Sequence, residues 1–152
     1  GGDLKISERA PQLMIHAVKD PNWANLDRIQ VIKGWVENGE GKEKIYDVKW
    51  SGDRKIGPDG KLPPVGNTVN TKNATYTNSI GSAELKAVWQ DPDFDPTENA
   101  FYYVRVLEIP SPTWQLYDIV KYGLKDVPEG VPLFQQERAW SSPIWYDPVI
   151  KN

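Results

Sequence analysis

The chain has 152 residues and a formal net charge of −3 at pH 7, which is the size of one domain with room for a buried core. Its acidic balance argues against nucleic acid and anionic membranes as partners, because both select basic surfaces. No apolar run approaches the roughly 20 residues that span a bilayer. The absence of cysteine excludes disulfides, thiol catalysis and thiolate metal sites. We therefore expect neither nucleic-acid binding nor membrane insertion.

The first residues, 1–11, are polar and end at a proline, which predicts an extended lead-in rather than a packed element. Because the sequence starts without a methionine, we expect this lead-in to continue from a missing upstream domain. Residues 12–152 contain neither an internal repeat nor a low-complexity tract, and they predict a single domain.

Runs rich in β-branched and aromatic residues alternate with turn signals and predict seven strands: 12–19, 28–36, 43–51, 74–79, 84–90, 100–110 and 138–146. Asn38-Gly39, between the second and third runs, is the strongest hairpin signal. The run 100–110 has apolar side chains in both registers, so it is expected to be buried on most of both faces. Arg105 is a charge within that run, and we expect it to pair with an acidic residue or to lie at the edge of the sandwich.

Three further segments qualify this strand pattern. Residues 82–90 have a competing helical interpretation, since Ser82 offers an N-cap. Residues 52–66 are rich in glycine and proline, and predict a long loop that crosses between sheets or covers one end. Pro143 predicts a bulge or an edge position within the last strand.

One segment, 114–122, has a clear helical pattern. Trp114, Tyr117 and Val120 fall on one face at spacings of three, and Gly123 follows where a C-cap glycine belongs. About seven short strands with one helix in a connection favour an all-β sandwich, and a closed barrel is the alternative.

The chain has one histidine, His16, which falls in an apolar strand with no carboxylate nearby in sequence. A structural histidine is therefore favoured over a general base. Transition-metal sites draw on several histidine or cysteine ligands, which this chain does not contain.

Asp91, Asp93 and Asp95 have the alternate spacing that begins a calcium loop. An EF-hand needs glycine at its sixth position and glutamate at its twelfth, where this chain has Pro96 and Tyr102. Turn carboxylates that accept backbone N–H bonds are therefore the favoured interpretation.

The seven tryptophans are the remaining unusual feature. Most fall in the apolar register of predicted strands, so a role in the core is favoured over a stacking platform for sugar rings. Trp23, beside the Pro21-Asn22 turn, is the best candidate for exposure. The sequence contains no nucleophile elbow, phosphate-binding glycine loop or dinucleotide fingerprint, and Asn73-Ala74-Thr75 is a glycosylation sequon that means little without a secretory context. We assign no catalytic, cofactor-binding or metal-binding residue.

Eight phrases in one order carry a resemblance to a known family: GGDL, NLDRIQVIKGWV, YDVKWSGDRK, LPPVGNTV, ATYTNSIG, VWQDPDFDP, AFYYVRVLEIP and ERAWSSPIWY. Together they span Gly1 to about Pro148, and the chain resembles the C-terminal part of the uncharacterised bacterial proteins grouped as domain of unknown function 3604. Full-length members are several times longer, and their upstream part resembles the polymerase-and-histidinol-phosphatase (PHP) superfamily of metal-dependent phosphoesterases. With one histidine and no His-x-His motif, this chain carries none of those metal ligands.

The resemblance implies an immunoglobulin-like β-sandwich that serves as a non-catalytic accessory domain, with the upstream domain of the same protein as its partner. The alternative is a carbohydrate or cell-surface ligand-binding module that uses exposed tryptophans. A third hypothesis, a glycosidase-like enzyme, requires two facing carboxylates roughly 5–9.5 Å apart. We expect the parent protein to be periplasmic or secreted, with a cytoplasmic protein as the alternative.

Overall fold

A computed structural model describes residues 1–5, 7–125 and 128–148, so the last four residues of the predicted domain lie outside the described part. The strands are β1 Gly2–Asp3, β2 Gln12–Val18, β3 Leu26–Glu37, β4 Glu40–Trp50, β5 Glu84–Gln90, β6 Ala100–Glu108, β7 Ser111–Pro112, β8 Phe134–Gln135, β9 Arg138–Trp140 and β10 Ile144–Tyr146, and the helix is α1 Trp114–Tyr122. The predicted all-β sandwich-like fold is confirmed. Within the described ranges, no helix is both long and apolar enough to cross a membrane.

The larger layer is a six-stranded sheet in the order β1-β10-β6-β3-β4, with β9 also paired to β6. Its pairs are antiparallel except for β1 with β10. Strands β3 and β6 pair with neighbours on both edges, and the side chains of Ile29, Val31, Ile32 and Tyr102 are fully buried. The β6 segment is therefore an interior strand, as its two apolar registers predict.

The second layer is the antiparallel pair β2–β5. Its inward side chains, Leu13, Ile15 and Leu85, pack with Val31 and Tyr102 of the larger sheet to form the core. The helical interpretation of residues 82–90 is wrong, because the period-two alternation turns the apolar side chains of β5 towards this core.

The hairpin between β3 and β4 turns at Asn38 and Gly39, as predicted. Both residues have positive φ angles, 54° and 81°, which the two-residue turn of a tight hairpin requires. Asparagine and glycine adopt this conformation at the lowest cost, so the turn sequence fixes the register of the two longest strands.

The predicted strand 74–79 is wrong. In this segment the backbone forms a single isolated β-bridge, between Asn70 and Thr75. Side chains take the place of a ladder: the Thr68 hydroxyl donates to the Thr77 carbonyl at 2.7 Å, and the side-chain oxygen of Asn70 accepts from the Lys72 amide at 3.0 Å. Threonine and asparagine compete with backbone pairing in this way, so a β-rich composition did not produce a strand.

The first residues of the chain pair with β10, the last strand of the described part. Pro143 interrupts the predicted last strand, as expected, and separates β9 from β10. The lead-in is more closely packed than predicted, because Gly2–Asp3 forms the parallel edge strand β1 and the Leu4 amide donates to the Trp145 carbonyl at 2.7 Å. The Tyr146 hydroxyl also donates to the Ser7 carbonyl at 3.2 Å.

Helix α1 has the predicted ends, with Thr113 as N-cap and Gly123 as C-cap. The face of α1 that packs against the domain is not the apolar face that the spacing of Trp114, Tyr117 and Val120 defines. Leu116 is the buried side chain, whereas Trp114 and Tyr117 point into solvent. The helix connects the two strands of the small β7–β8 ribbon, so it packs against the domain along a narrow strip rather than along its full apolar face.

The long loop 52–66 is tied to the start of β3 by a buried carboxylate. Asp27 accepts from the Arg54 guanidinium at 2.6 Å and from the Arg28 guanidinium at 3.0 Å. Arg54 also donates to the Pro63 carbonyl at 2.9 Å, and Leu62 is buried. The loop therefore covers one end of the sheet, which is one of its two predicted roles.

A second buried ion pair lies between the two layers. The Lys33 ammonium is 2.8 Å from the Asp91 carboxylate, and both side chains are almost completely buried. Lys33 also donates to the Asp93 carbonyl at 2.6 Å, and the Tyr102 hydroxyl donates to Asp91 at 2.7 Å. Every member of the group has a partner, which is the condition under which a buried charge is tolerated.

Replacing Asp91 with alanine leaves the Lys33 ammonium buried without its counter-ion. We expect the free energy of unfolding to fall by about 3–5 kcal/mol, as measured by urea unfolding. The Asp91→Ala/Lys33→Met double variant should recover part of this loss, because it removes the unpaired charge. Glu84→Ala, which removes the exposed partner of Lys86, is the matched control and should cost far less. Equal losses in the two single variants would contradict this assignment.

Candidate functional site

The outer face of the six-stranded sheet carries a row of side chains that crosses five strands. Successive register partners place them side by side: Glu43, Gly34, Phe101, Trp145 and Asp3, from β4, β3, β6, β10 and β1 in turn. Residues directly opposite each other share one face of a sheet. The result, here called the aromatic row, is a pair of rings with a carboxylate at each end.

The aromatic rings of this row are held by packing against the sheet. A Cβ atom at Gly34 would lie 2.3 Å from the Phe101 ring, so the ring rests directly on the glycine backbone. Phe101 also stacks on Tyr103 at 6.3 Å and contacts Trp145 at 5.2 Å between ring centroids. Trp145 is 50% exposed, so this part of the row presents an aromatic surface to solvent.

A cavity of about 720 Å³ opens at this end of the sheet. Its apolar walls include Trp35, Val36 and the two rings of the aromatic row. Its polar groups come from Asp3, Lys42, Glu43, Asn99 and Asp147. An apolar cavity with a few convergent polar groups is the usual form of a small-molecule site. We therefore take the aromatic row and its cavity as the candidate site.

The carboxylates at the two ends of the row are too far apart for glycoside hydrolysis. Asp3 and Glu43 are separated by four strand spacings, about 19 Å. Paired catalytic carboxylates lie about 5–9.5 Å apart. The two residues can both contact a ligand that lies along the row, but they cannot act on one bond.

Arg105 lies on the same face, away from the aromatic row. Its guanidinium donates to the Gln30 side-chain carbonyl at 2.8 Å, and the Gln30 amide donates to the Asp47 carboxylate at 2.8 Å. We expected Arg105 to pair directly with an acidic residue or to lie at an edge of the sandwich, and this is wrong. Strand β6 is interior, and the Gln30 side chain lies between the Arg105 guanidinium and the Asp47 carboxylate, with a hydrogen bond to each.

The acidic turn after β5 is structural, as predicted. Asp91 and Asp95 accept from the backbone amides two residues further on, those of Asp93 and Thr97, at 2.9 and 2.8 Å. Hydrogen bonds from Lys44 and Tyr46 hold the pKa of Asp93 below its usual range. Within the described residues, no three histidine, aspartate or glutamate side chains are grouped so that they could hold a metal ion.

Apart from Trp23, the expected core role is wrong for three of the six tryptophans, while the other three are partly buried. Four are exposed: Trp23, Trp114, Trp140 and Trp145. The exposure of Trp23 confirms the prediction made from its turn. Trp145 could be recognised only from the register of β10, because Pro143 and the neighbouring residues hide which face each side chain takes.

His16 is exposed rather than part of the core. Its ring nitrogen Nε2 lies 3.1 Å from the Glu84 carboxylate, across the β2–β5 pair. The carboxylate partner is 68 positions away in the chain, so it was not visible in the local sequence. The histidine lies on the opposite layer from the aromatic row and has no part in the candidate site.

Replacing Gly34 with alanine tests the packing of the aromatic row. The new methyl group would occupy the place of the Phe101 ring, so we expect the ring to be displaced and the free energy of unfolding to fall by about 1–3 kcal/mol. NMR chemical shifts of Phe101 and Trp145 should change most. Gly41→Ala is the control, because a Cβ atom at that lining position meets no other atom within 4 Å. Unchanged ring shifts in Gly34→Ala would contradict the packing.

Comparison with known proteins gives one result. No curated protein and no solved structure matches the chain. One family, described as "Protein of unknown function (DUF3604)", matches residues 1–148, which is nearly the whole chain and agrees with the resemblance of its eight phrases. The chain therefore belongs to the DUF3604 family.

Proposed function

We propose that this chain is a non-catalytic accessory domain, immunoglobulin-like in its architecture, that packs on a PHP-like metal-dependent hydrolase domain of the same protein. The observation that carries the proposal is the outward face of α1. Trp114, Tyr117 and Val120 are 69%, 42% and 37% exposed at the spacing of a buried helix face. Adjacent exposed apolar side chains of this kind mark an interaction surface, and packing between domains of one protein would cover it.

The carboxylates of the sandwich support a structural role. Asp27, Asp47, Asp91 and Asp93 each accept short hydrogen bonds from cationic or amide side chains of the same domain. A carboxylate in such a network contributes to stability as long as its partners stay in place. Using one of them as a metal ligand or general base would leave its cationic partner uncompensated.

The docking proposal predicts protection of the α1 face. In the longer protein, hydroxyl-radical footprinting should show Trp114 oxidised several-fold more slowly than in the isolated chain, because a packed domain excludes solvent. Trp23, which is exposed in a turn elsewhere, is the internal control and should be oxidised equally in both.

Equal oxidation of Trp114 in both forms would contradict docking through α1. The non-catalytic part has a separate test, with the isolated chain and a phosphomonoester in the presence of Mn²⁺ or Zn²⁺. We expect hydrolysis no faster than in buffer with metal alone, and turnover well above that level would overturn the proposal.

A second candidate function is carbohydrate binding, which the aromatic row favours. Two adjoining rings offer apolar surface for the C–H face of a sugar, and Trp145 is the exposed member. Asp3, Glu43 and Asn99 around the cavity can accept hydrogen bonds from hydroxyl groups. The row extends over about 19 Å, which suits an oligosaccharide better than a single sugar ring.

Carbohydrate binding predicts a change in tryptophan fluorescence when oligosaccharides are added. Trp145→Ala should abolish that change, because it removes the exposed ring of the row. Trp114→Ala is the matched control, since it removes an exposed tryptophan that does not line the cavity. A flat response of the unaltered chain across a broad glycan panel, or an equal response of both variants, would count against this function.

A further inference from the structure

Strand β2 uses one of its two edges. Along its whole length it pairs with β5, and the Lys19 amide extends the ladder by donating to the Ala83 carbonyl at 3.0 Å. The backbone groups of an antiparallel strand point alternately to one side and the other. The Lys19 backbone amide points towards β5. The N–H and C=O groups of Met14, His16 and Val18, which alternate with those of the odd-numbered residues, therefore point away from β5. Among the described strands, β5 is the one that pairs with β2.

The free edge of β2 borders a groove. A cavity of about 600 Å³ lies between β2 and the β6–β9 part of the larger sheet. Its floor includes Val104 and Val106, which are half-buried at the margin of the core, and the exposed Ala139, the register partner of Val106. This space, here called the β2 groove, is where a third strand of the smaller sheet would lie.

One end of the β2 groove is acidic. Glu108 and Glu137 lie together there, and the Glu108 amide donates to the Glu137 carbonyl at 3.0 Å. Burial raises the pKa of the Glu108 carboxyl, and the Glu137 carboxylate raises it further. Two cations lie near these carboxylates. The Lys19 ammonium lowers the pKa of Glu108 in part, although its own hydrogen bonds go to backbone carbonyl groups at 2.8 Å, and the exposed Arg138 lines the same groove. A cation brought by a ligand would relieve the repulsion between the two carboxylates.

We propose that an extended segment of a partner protein adds to β2 as a third strand, with apolar side chains over Val104, Val106 and Ala139 and a lysine or arginine beside Glu108 and Glu137. Strand addition of this kind takes its affinity from main-chain hydrogen bonds and its specificity from side-chain sites along the groove. The acidic end selects a basic segment, and the net charge of −3 favours its approach.

A second copy of this chain is a poorer occupant. Pairing between two β2 strands would place the sequence QLMIHAV in the groove, and that strand contains no lysine or arginine to meet the acidic pair.

The experiment uses two synthetic peptides of alternating threonine and valine, one with lysine at both ends and one with glutamate at both ends. Lysine at both ends allows either strand direction. We expect the lysine peptide to slow amide exchange at Met14, His16 and Val18, and the glutamate peptide to bind about tenfold more weakly. If the lysine peptide slows exchange at none of these three amides, the proposal is overturned.

A matched pair of variants separates edge pairing from other modes of binding. His16→Pro removes the backbone N–H that points away from β5, but it leaves every hydrogen bond between β2 and β5 intact. His16→Ala keeps this N–H, and both variants lack the imidazole. We expect about tenfold weaker binding of the lysine peptide for His16→Pro and little change for His16→Ala. Equal affinities would overturn the proposal.

Two further measurements decide the outcome if His16→Pro fails to fold. Glu108→Gln/Glu137→Gln should weaken the lysine peptide about tenfold, and should remove its advantage over the glutamate peptide. An unchanged preference would overturn the acidic site. Sedimentation of the chain alone should show a monomer, and a dimer whose interface protects the Met14, His16 and Val18 amides would overturn the commitment to a different protein.

Discussion

The inner face of the six-stranded sheet is covered by two strands, β2 and β5. This difference in width between the two layers determines where the core is closed and where it stays open. Where the small layer lies over β3 and β6, the core is apolar and closely packed. At the end of β5, the fully partnered Lys33–Asp91 pair fills the space between the layers. Beyond the free edge of β2, the inner face stays open over Val104 and Val106. The same shortage of cover therefore gives a polar core at one margin and an accessible groove at another.

Strand β6 couples this core to the outer face. Its side chains alternate, so Tyr102 reaches inward to Asp91 while Phe101 and Tyr103 point outward. A shift of one residue in its pairing would expose Tyr102 and bury the outward rings. The energy that fixes the core register therefore also fixes the position of the aromatic row.

The sequence predicts what depends on neighbours along the chain. Period-two runs located six of the seven proposed strands, and Asn38-Gly39 and Gly123 located a hairpin and a helix end, because these signals act over a few residues. The aromatic row was not predictable, since its members come from positions 3, 34, 43, 101 and 145, and only the pairing register brings them together. The exposed face of α1 was missed for a related reason: periodicity shows that a face is apolar but not what it packs against.

The α1 face, the aromatic row and the β2 groove differ in chemistry, so each favours a different class of ligand. The α1 face offers aromatic and aliphatic side chains, which suit the flat apolar surface of another domain. The aromatic row adds carboxylate and amide groups around a cavity, which suit a hydroxylated small ligand. The β2 groove offers a row of outward backbone N–H and C=O groups, which an extended peptide can pair with in register as an added strand. Because the three surfaces are built from different residues, their proposed occupants would not compete for the same side chains.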